Sequence, residues 1–243
     1  MKQKIYQVDA FASALFKGNP AAVCIMESWP PDALMQDIAM ENNLSETAFV
    51  VKNEGRYDIR WFTPGVEVDL CGHATLASAF VIYSFFDPNA DKLEFFSPRS
   101  GPLSVLRQSD GNLSLNFPSD TIAQVDPLPE LDQAMGITSQ KTYKGKTDIM
   151  LIYRSQTEIE ALQPHVFVMK SLPVRGVIAT APGQDVDFVS RFFAPQSGVD
   201  EDPVTGSAHT TLTPYWSAEL DKELLFARQL SKRGGDLMCR MMG

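Results

Sequence analysis

Residues 4–11 and 21–26 are rich in apolar and β-branched side chains, and the turn Lys17-Gly18-Asn19-Pro20 precedes the second stretch, which predicts two strands. Residues 31–42 begin Pro-Asp-Ala-Leu and place Leu34, Met35, Ile38 and Ala39 at helical spacing. Residues 47–52 and 56–63 read as strands joined by the hairpin signal Asn53-Glu54-Gly55. Residues 72–85 carry no charge and are apolar nearly all round, the signature of a helix buried on every side. Strands are predicted at 92–97, 102–107 and 112–117, punctuated by Gly101 and Asp110-Gly111. Serine, aspartate and proline between Pro118 and Pro129 mark a linker. Beyond it, strands are predicted at 149–153, 165–169, 174–180 and 187–194, and a helix from Gly206 to about Leu220. Residues 236–242 read as a final strand with no following turn or partner, either an edge or a truncation, and truncation is the reading taken.

The chain says one thing twice. Arg60-Trp61-Phe62-Thr63-Pro64-Gly65-Val66-Glu67 leads to Gly72-His73-Ala74, and Arg191-Phe192-Phe193-Ala194-Pro195-Gln196-Ser197-Gly198-Val199-Asp200 leads to Gly206-Ser207-Ala208. Each copy runs arginine, aromatic, Phe, a small residue, Pro, a Val-acid step, then Gly-x-Ala and a helix. The repeat predicts two similar domains, 1–117 and 130–243, joined by the linker 118–129. Each is expected to be an α+β domain, a mainly antiparallel sheet or barrel wrapped around a central helix. The first amides of a helix lack intrahelical partners and the dipole favours an anion there. Two matching helix starts at Gly72 and Gly206 are therefore expected to converge on one small carboxylate.

Composition narrows the function. At 243 residues and a net charge of −9, the surface repels phosphate backbones, which argues against nucleic acid. Three cysteines, Cys24, Cys71 and Cys239, give no disulfide framework and no metal spacing, and point to a reducing cytoplasmic setting. The N-terminal stretch is broken by Asp9, Lys17 and Pro20 and lacks a signal-peptide core. The charge-free run 72–86 is too short to span a bilayer, so no membrane role is expected. No phosphate loop, dinucleotide fingerprint or metal-ligand cluster is visible, so neither cofactor nor metal is expected, and cofactor-free proton transfer fits.

Three stretches carry a resemblance: Asn43-Leu44-Ser45-Glu46-Thr47-Ala48-Phe49, Glu67-Val68-Asp69-Leu70-Cys71-Gly72-His73-Ala74-Thr75, and Asp200-Glu201-Asp202-Pro203-Val204-Thr205-Gly206-Ser207-Ala208-His209. With Gly18-Asn19-Pro20-Ala21-Ala22-Val23 they resemble the PhzF-like family, the phenazine-biosynthesis isomerases and their relatives, along essentially the whole chain. The resemblance implies a diaminopimelate-epimerase-like fold, a homodimer, and a small carboxylate-bearing, cyclic amino-acid-like substrate. It implies that Glu46 is the general base, that His73 and Asp202 assist, and that Asn19, Gly72, Gly206 and Ser207 bind substrate.

Read on its own residues, Glu46 is a loop carboxylate able to exchange a proton if partly desolvated. His73 opens a helix, where a neutral ring is expected. Ser207 and Asp202 fit ordinary helix caps as well as a site. His165 and His209 read as structural or surface residues. Cys71 stands where related racemases carry the first of two cysteines, but Thr205 fills the second place, and a hydroxyl is a far poorer base than a thiolate. Two alternatives stay open: a dehydratase, lyase or epimerase using Cys71 with Thr205 on a hydroxylated imino acid, and a non-catalytic small-anion binder.

Overall fold

The apolar runs of the first half pair into one sheet in a computed structural model, which describes residues 2–242. In chain order the elements are β1 (Tyr6–Ala10), β2 (Asn19–Met26), α1 (Asp32–Asn42), β3 (Glu46–Asn53), β4 (Arg56–Phe62), β5 (Glu67–Val68), α2 (Gly72–Phe85), β6 (Lys92–Ser97), β7 (Gly101–Arg107) and β8 (Leu113–Leu115). Among the described residues the sheet has eight strands in the order β1-β2-β3-β4-β6-β7-β8, with β5 beside β4. Period-two alternation sends β3 and β4 to two different cores. Ala48, Val50, Tyr57, Ile59 and Trp61 face α2, while Phe49, Val51 and Phe62 pack with Met35 and Ala39 of α1. A sheet covered on both faces explains why these strands read as near-continuous apolar runs. Helix α2 is buried from Gly72 to Ala79 except for the half-buried Leu76. The hairpin at 53–55 closes through left-handed Glu54 (φ 43°) and Gly55 (φ 87°), as its sequence predicts.

The second half continues with β9 (Ala123–Val125), α3 (Pro129–Met135), β10 (Lys141–Lys144), β11 (Asp148–Ile152), α4 (Gln156–Ala161), α5 (Val166–Ser171), β12 (Gly176–Pro182), β13 (Phe188–Ala194), β14 (Val199–Asp202), α6 (Gly206–Leu220), β15 (Leu224–Gln229) and β16 (Gly235–Arg240). Its sheet runs β16-β15-β13-β12-β11-β10-β9, with β14 beside β13. One face packs on α6 through Met150, Ile178, Phe188 and Phe192; the other packs on α3, α4 and α5 through Leu151, Val177 and Val189. Helix α6 contains Pro214, which cannot donate to the carbonyl of Thr210. That carbonyl instead accepts the main-chain N–H of Asp120 (3.1 Å), and the Asp120 carboxylate accepts from the Thr211 hydroxyl (3.0 Å).

Each sheet is mainly antiparallel, but among the described pairings each holds two parallel ones. In the first these are β2/β3 and β4/β6, and in the second β11/β12 and β13/β15. The β2/β3 crossover runs through α1, and the β11/β12 crossover through α4 and α5.

The chain divides into two compact units. One holds the residues up to Ala10 and Pro20–Phe117; the other holds Phe11–Asn19 and the residues from Pro118 onward. The contiguous boundaries expected from the sequence miss this excursion, in which Phe11 packs against the second unit's core. The expected linker 118–129 is folded structure: Asp120 is docked on α6, and β9 pairs with β10. Residues 165–169, expected as a strand, form most of α5. A short apolar run cannot distinguish the two, and here only Met169 is buried. The final strand, expected to lack a partner, is an edge strand paired antiparallel with β15 from Gly235↔Gln229 to Arg240↔Leu224. Among the described residues no helix is long and apolar enough to cross a membrane.

Candidate active site

In the first unit, α1 ends at Asn43 in the left-handed conformation (φ 50°), its N–H bonded to the Ala39 carbonyl. Three residues later the chain enters β3 at Glu46, in register with Ala21. The Asn42 side chain braces the turn by donating to the Thr47 hydroxyl (3.1 Å). Helix α2 begins after Cys71, whose extended backbone (φ −139°) places it at the N-cap, yet its side chain caps nothing. His73, the second residue of the helix, brings Nε2 to 3.2 Å from Glu46 Oε2 and Nδ1 to 3.5 Å from Cys71 Sγ. Burial pushes the His73 pKa down to about 4, partly offset by its hydrogen bond to the Pro20 main chain. The ring is therefore neutral at neutral pH, and its contact with Glu46 is imidazole to carboxylate rather than an ion pair.

In the second unit, Asp202 ends β14 as the centre of a buried network. Asn19 Nδ2 donates to Asp202 Oδ1 (2.9 Å) and to the Val204 carbonyl (2.9 Å), and the Thr205 hydroxyl donates to Asp202 Oδ2. Fully buried Gln229 accepts from the Thr205 N–H (2.9 Å) and donates to the Asp202 carbonyl (2.7 Å). Burial pushes the Asp202 carboxyl up to about 6, against the opposing pull of the Thr205 and Asn19 hydrogen bonds. The turn before β16 fixes Asn19: the Gly18 N–H donates to the Gly234 carbonyl (2.7 Å), and Arg233 Nε to the Gly18 carbonyl (2.8 Å). Thr205 is the N-cap of α6 and, like Cys71, makes no side-chain cap. His209, one turn into α6, bonds the Thr205 carbonyl through Nδ1 (2.8 Å), and burial holds its pKa near 4.

The strand registers align the two units residue by residue. Thr47 faces Phe62 and Ala48 faces Trp61 as Val177 faces Phe193 and Ile178 faces Phe192. Trp61 pairs with Val68 as Phe192 pairs with Asp202. Glu46 thus corresponds to Gly176, Val68 to Asp202, and Cys71-Gly72-His73 to Thr205-Gly206-Ser207. The repeated arginine is scaffolding. Arg60 grips Glu67 with two bonds (2.7 and 2.8 Å) and reaches Asp32 in the first turn of α1 (2.8 Å). Arg191 grips Glu201 with two bonds (2.7 and 3.1 Å) and reaches the Ile159 and Leu162 carbonyls at the end of α4 (3.2 and 2.9 Å). Each guanidinium ties a crossover helix to the short strand that leads into the central helix.

These positions revise several sequence expectations. Ser207 is the second residue of α6, so the N-cap role belongs to Thr205. Asp202 does not cap the helix through its carboxylate, which accepts from two side chains. Asn19 commits its amide nitrogen to Asp202 and Val204 and so holds the network. A Cβ on Gly72 would lie 2.8 Å from the Phe117 ring, so packing already accounts for that glycine. Arg191 pairs with Glu201, one residue beyond the acid of the Val-acid step, across a register shift between Phe192 and Ala194. Sequence spacing showed no metal-type cluster, yet the fold draws donor atoms of Glu46, Cys71 and His73 within 4.8 Å of one another. Gln229 was missed; its one signal is a polar residue on the buried side of an alternating strand. Two surface cavities of the second unit, about 390 and 600 Å³, are lined by none of Asn19, Glu46, His73 and Asp202.

The model of the phenazine biosynthesis-like family PhzC-PhzF matches residues 8–242. An uncharacterized isomerase of Pseudomonas aeruginosa is 50% identical over 243 residues, covering 100% of this chain and 92% of its own length. The crystal structure of a PhzF-family phenazine biosynthesis protein from Enterococcus faecalis superimposes with a TM-score of 0.95 at 46% identity, over 100% of this chain and 92% of that one. A predicted epimerase of Pseudomonas aeruginosa shares the fold alone, with a TM-score of 0.71 at 18% identity over 98% and 91% of the two chains. With that match over nearly its whole length, and with relatives at half identity named isomerases, the chain belongs to the PhzC-PhzF family of phenazine biosynthesis-like proteins and is an isomerase.

Proposed function

We propose that the protein is a cofactor-independent isomerase that moves a proton on a small, carboxylate-bearing, cyclic amino-acid-like substrate. Glu46 takes a proton from a carbon next to an unsaturated system. The electron pair left behind moves into that system, and Glu46 returns the proton at a second carbon, so the step is redox-neutral. His73, neutral and 3.2 Å away, orients the carboxylate and shares its proton. Asp202, raised to about 6, lies near the range in which a carboxyl both holds and releases a proton at working pH, and it assists. The first amides of α2, left without a side-chain cap beside Glu46 and His73, offer donors to the substrate carboxylate and to developing negative charge. Asn19 acts by positioning Asp202.

The observation that carries this reading is the approach of Glu46 to a buried, neutral His73 at the uncapped start of an apolar helix. The rival thiol–hydroxyl chemistry is weakened because the Thr205 hydroxyl is already committed to Asp202. Cys71→Ser separates the two: it stops a thiol-dependent elimination and leaves a Glu46 isomerase turning over. The direct test is deuterium incorporation, followed by NMR, into a panel of small cyclic carboxylates with an acidic C–H beside a double bond. Exchange with formation of a double-bond isomer is expected for at least one compound. Tight binding across the panel with no exchange anywhere would favour a binding protein instead.

A further inference from the structure

The proton transfer proposed above makes no use of a thiol, yet the fold places one beside its base. Glu46, Cys71 and His73 supply oxygen, sulfur and nitrogen donors that all lie within 4.8 Å of one another, the one such group of three among the described residues. Cys71 Sγ is 3.5 Å from His73 Nδ1, and His73 Nε2 is 3.2 Å from Glu46 Oε2. Zinc binds sulfur at about 2.3 Å and nitrogen or oxygen at about 2.0–2.2 Å in a tetrahedron, which sets donor atoms roughly 3.3–3.6 Å apart. The two short contacts use opposite nitrogens of the His73 ring, of which only one can ligate the ion; with one donor atom from each residue within 4.8 Å of the others, the set must close by about 1 Å through side-chain rotation to reach those edges. The donor types select the metal: thiolate with imidazole and one carboxylate suits zinc, whereas magnesium and calcium require oxygen ligands. The Pro20 main chain, hydrogen-bonded to the His73 ring, is the kind of outer partner that fixes a ligating imidazole. The second unit has no counterpart, since Thr205, Ser207 and Gly176 stand at the corresponding positions.

We infer that Glu46, Cys71 and His73 bind one Zn²⁺, and that this metal shuts off the isomerase. On binding, the thiol releases its proton to solvent and its sulfur ligates the ion. Glu46 donates to the metal the same lone pairs it would use to accept the substrate proton, so zinc and proton transfer exclude each other. Three protein ligands leave a fourth position for water or an anion. The inhibitory half of this inference rests on the isomerase reading; the binding half does not.

The test begins with reduced, metal-free protein titrated with Co²⁺ and with Zn²⁺ against a chromophoric chelator. The wild type is expected to bind one equivalent and to show a thiolate-to-cobalt charge-transfer band. Cys71→Ser should lose that band and at least about 10-fold in zinc affinity, since even outer-shell changes cost that much. Glu46→Gln should weaken zinc binding as well, whereas Cys239→Ser should leave it unchanged. In the exchange assay, zinc should silence the wild type in proportion to occupancy, a chelator should restore it, and Cys71→Ser should turn over while resisting zinc. Absence of stoichiometric binding, or unaltered binding by Cys71→Ser, overturns the site. Stoichiometric binding without inhibition overturns the inhibitory role. Zinc binding by a wild type that exchanges no substrate proton removes the isomerase reading and leaves the metal site standing.

Discussion

Where β3 begins, the first unit carries Glu46; at the matching position, where β12 begins, the second carries Gly176. A Cβ on Gly176 would lie 2.4 Å from the Phe192 ring and 2.7 Å from Asp148, whose buried carboxylate is gripped by Arg175. In the first unit the residues matching Phe192 and Asp148 are Trp61 and the much smaller Ala21. The opposite exchange occurs beside the central helix. There the first unit has apolar Val68 and the second has Asp202, with Asn19, Thr205 and Gln229 arranged around it. The two units thus share a scaffold and differ in chemistry. What repeats is the arginine grip, the crossover helix and the uncapped helix start. What differs is which register position carries the acid, and each acid requires its own neighbours.

The shared scaffold should break alike in both halves, with the largest effect on stability. Arg191→Ala leaves the largely buried Glu201 without its guanidinium and should cost about 3 kcal/mol or more in chemical denaturation; Arg60→Ala leaves Glu67 only the half-exposed Arg99 (2.8 Å) and should also cost heavily, though less. A large loss in one and none in the other would mean that the repeat is not one device used twice.

Glycine tests sharpen the asymmetry at a smaller scale. Gly176→Ala and Gly72→Ala should each destabilise by about 1–3 kcal/mol through overpacking. Only the Gly72 loss should be recovered in a Phe117→Leu background, because that ring alone stands within 3.4 Å of the missing Cβ. Failure of Phe117→Leu to recover it would show that Gly72 is required for something other than packing.

The remaining effect is on pH dependence. His73 and His209 are held near 4, below the ordinary 6.5, so the unfolded chain binds more protons between those values and stability falls as pH drops through that window. Asp202, raised to about 6, acts oppositely: its contribution is fully present below about 3.8 and is lost as pH rises through 6. The two histidines outnumber the one carboxyl, so urea midpoints should fall between pH 6.5 and 4. His209→Leu should flatten that slope by about one proton. An unchanged slope would mean that His209 is not the depressed group.

Much of this was readable from sequence because the signals were long or chemically specific. The apolar run 72–85 could bury only as a central helix, and Asn53-Glu54-Gly55 could close only a tight hairpin. The short elements α3, α4, β10 and β15 were not foreseen, and 165–169 was given the wrong type, because four to seven residues do not establish a period. Glu46, His73 and Asp202 stood out through their motifs. Their partners did not: Gln229, the commitment of Thr205 to Asp202, and the gathering of Cys71 with Glu46 all depend on which strands lie side by side. The register shift across which Arg191 meets Glu201 likewise has no signature in the residues that form it.

The central claim is that the acid in the first unit, at the entrance to β3, is the base. The most direct measurement is the rate of solvent-deuterium incorporation into a compound that the wild type exchanges, repeated with Glu46→Gln. That change is nearly isosteric and should leave the unfolding transition in place. Removal of the base should slow exchange by about 10²–10⁴-fold. Exchange by Glu46→Gln at the wild-type rate would contradict the account and pass the proton to another group.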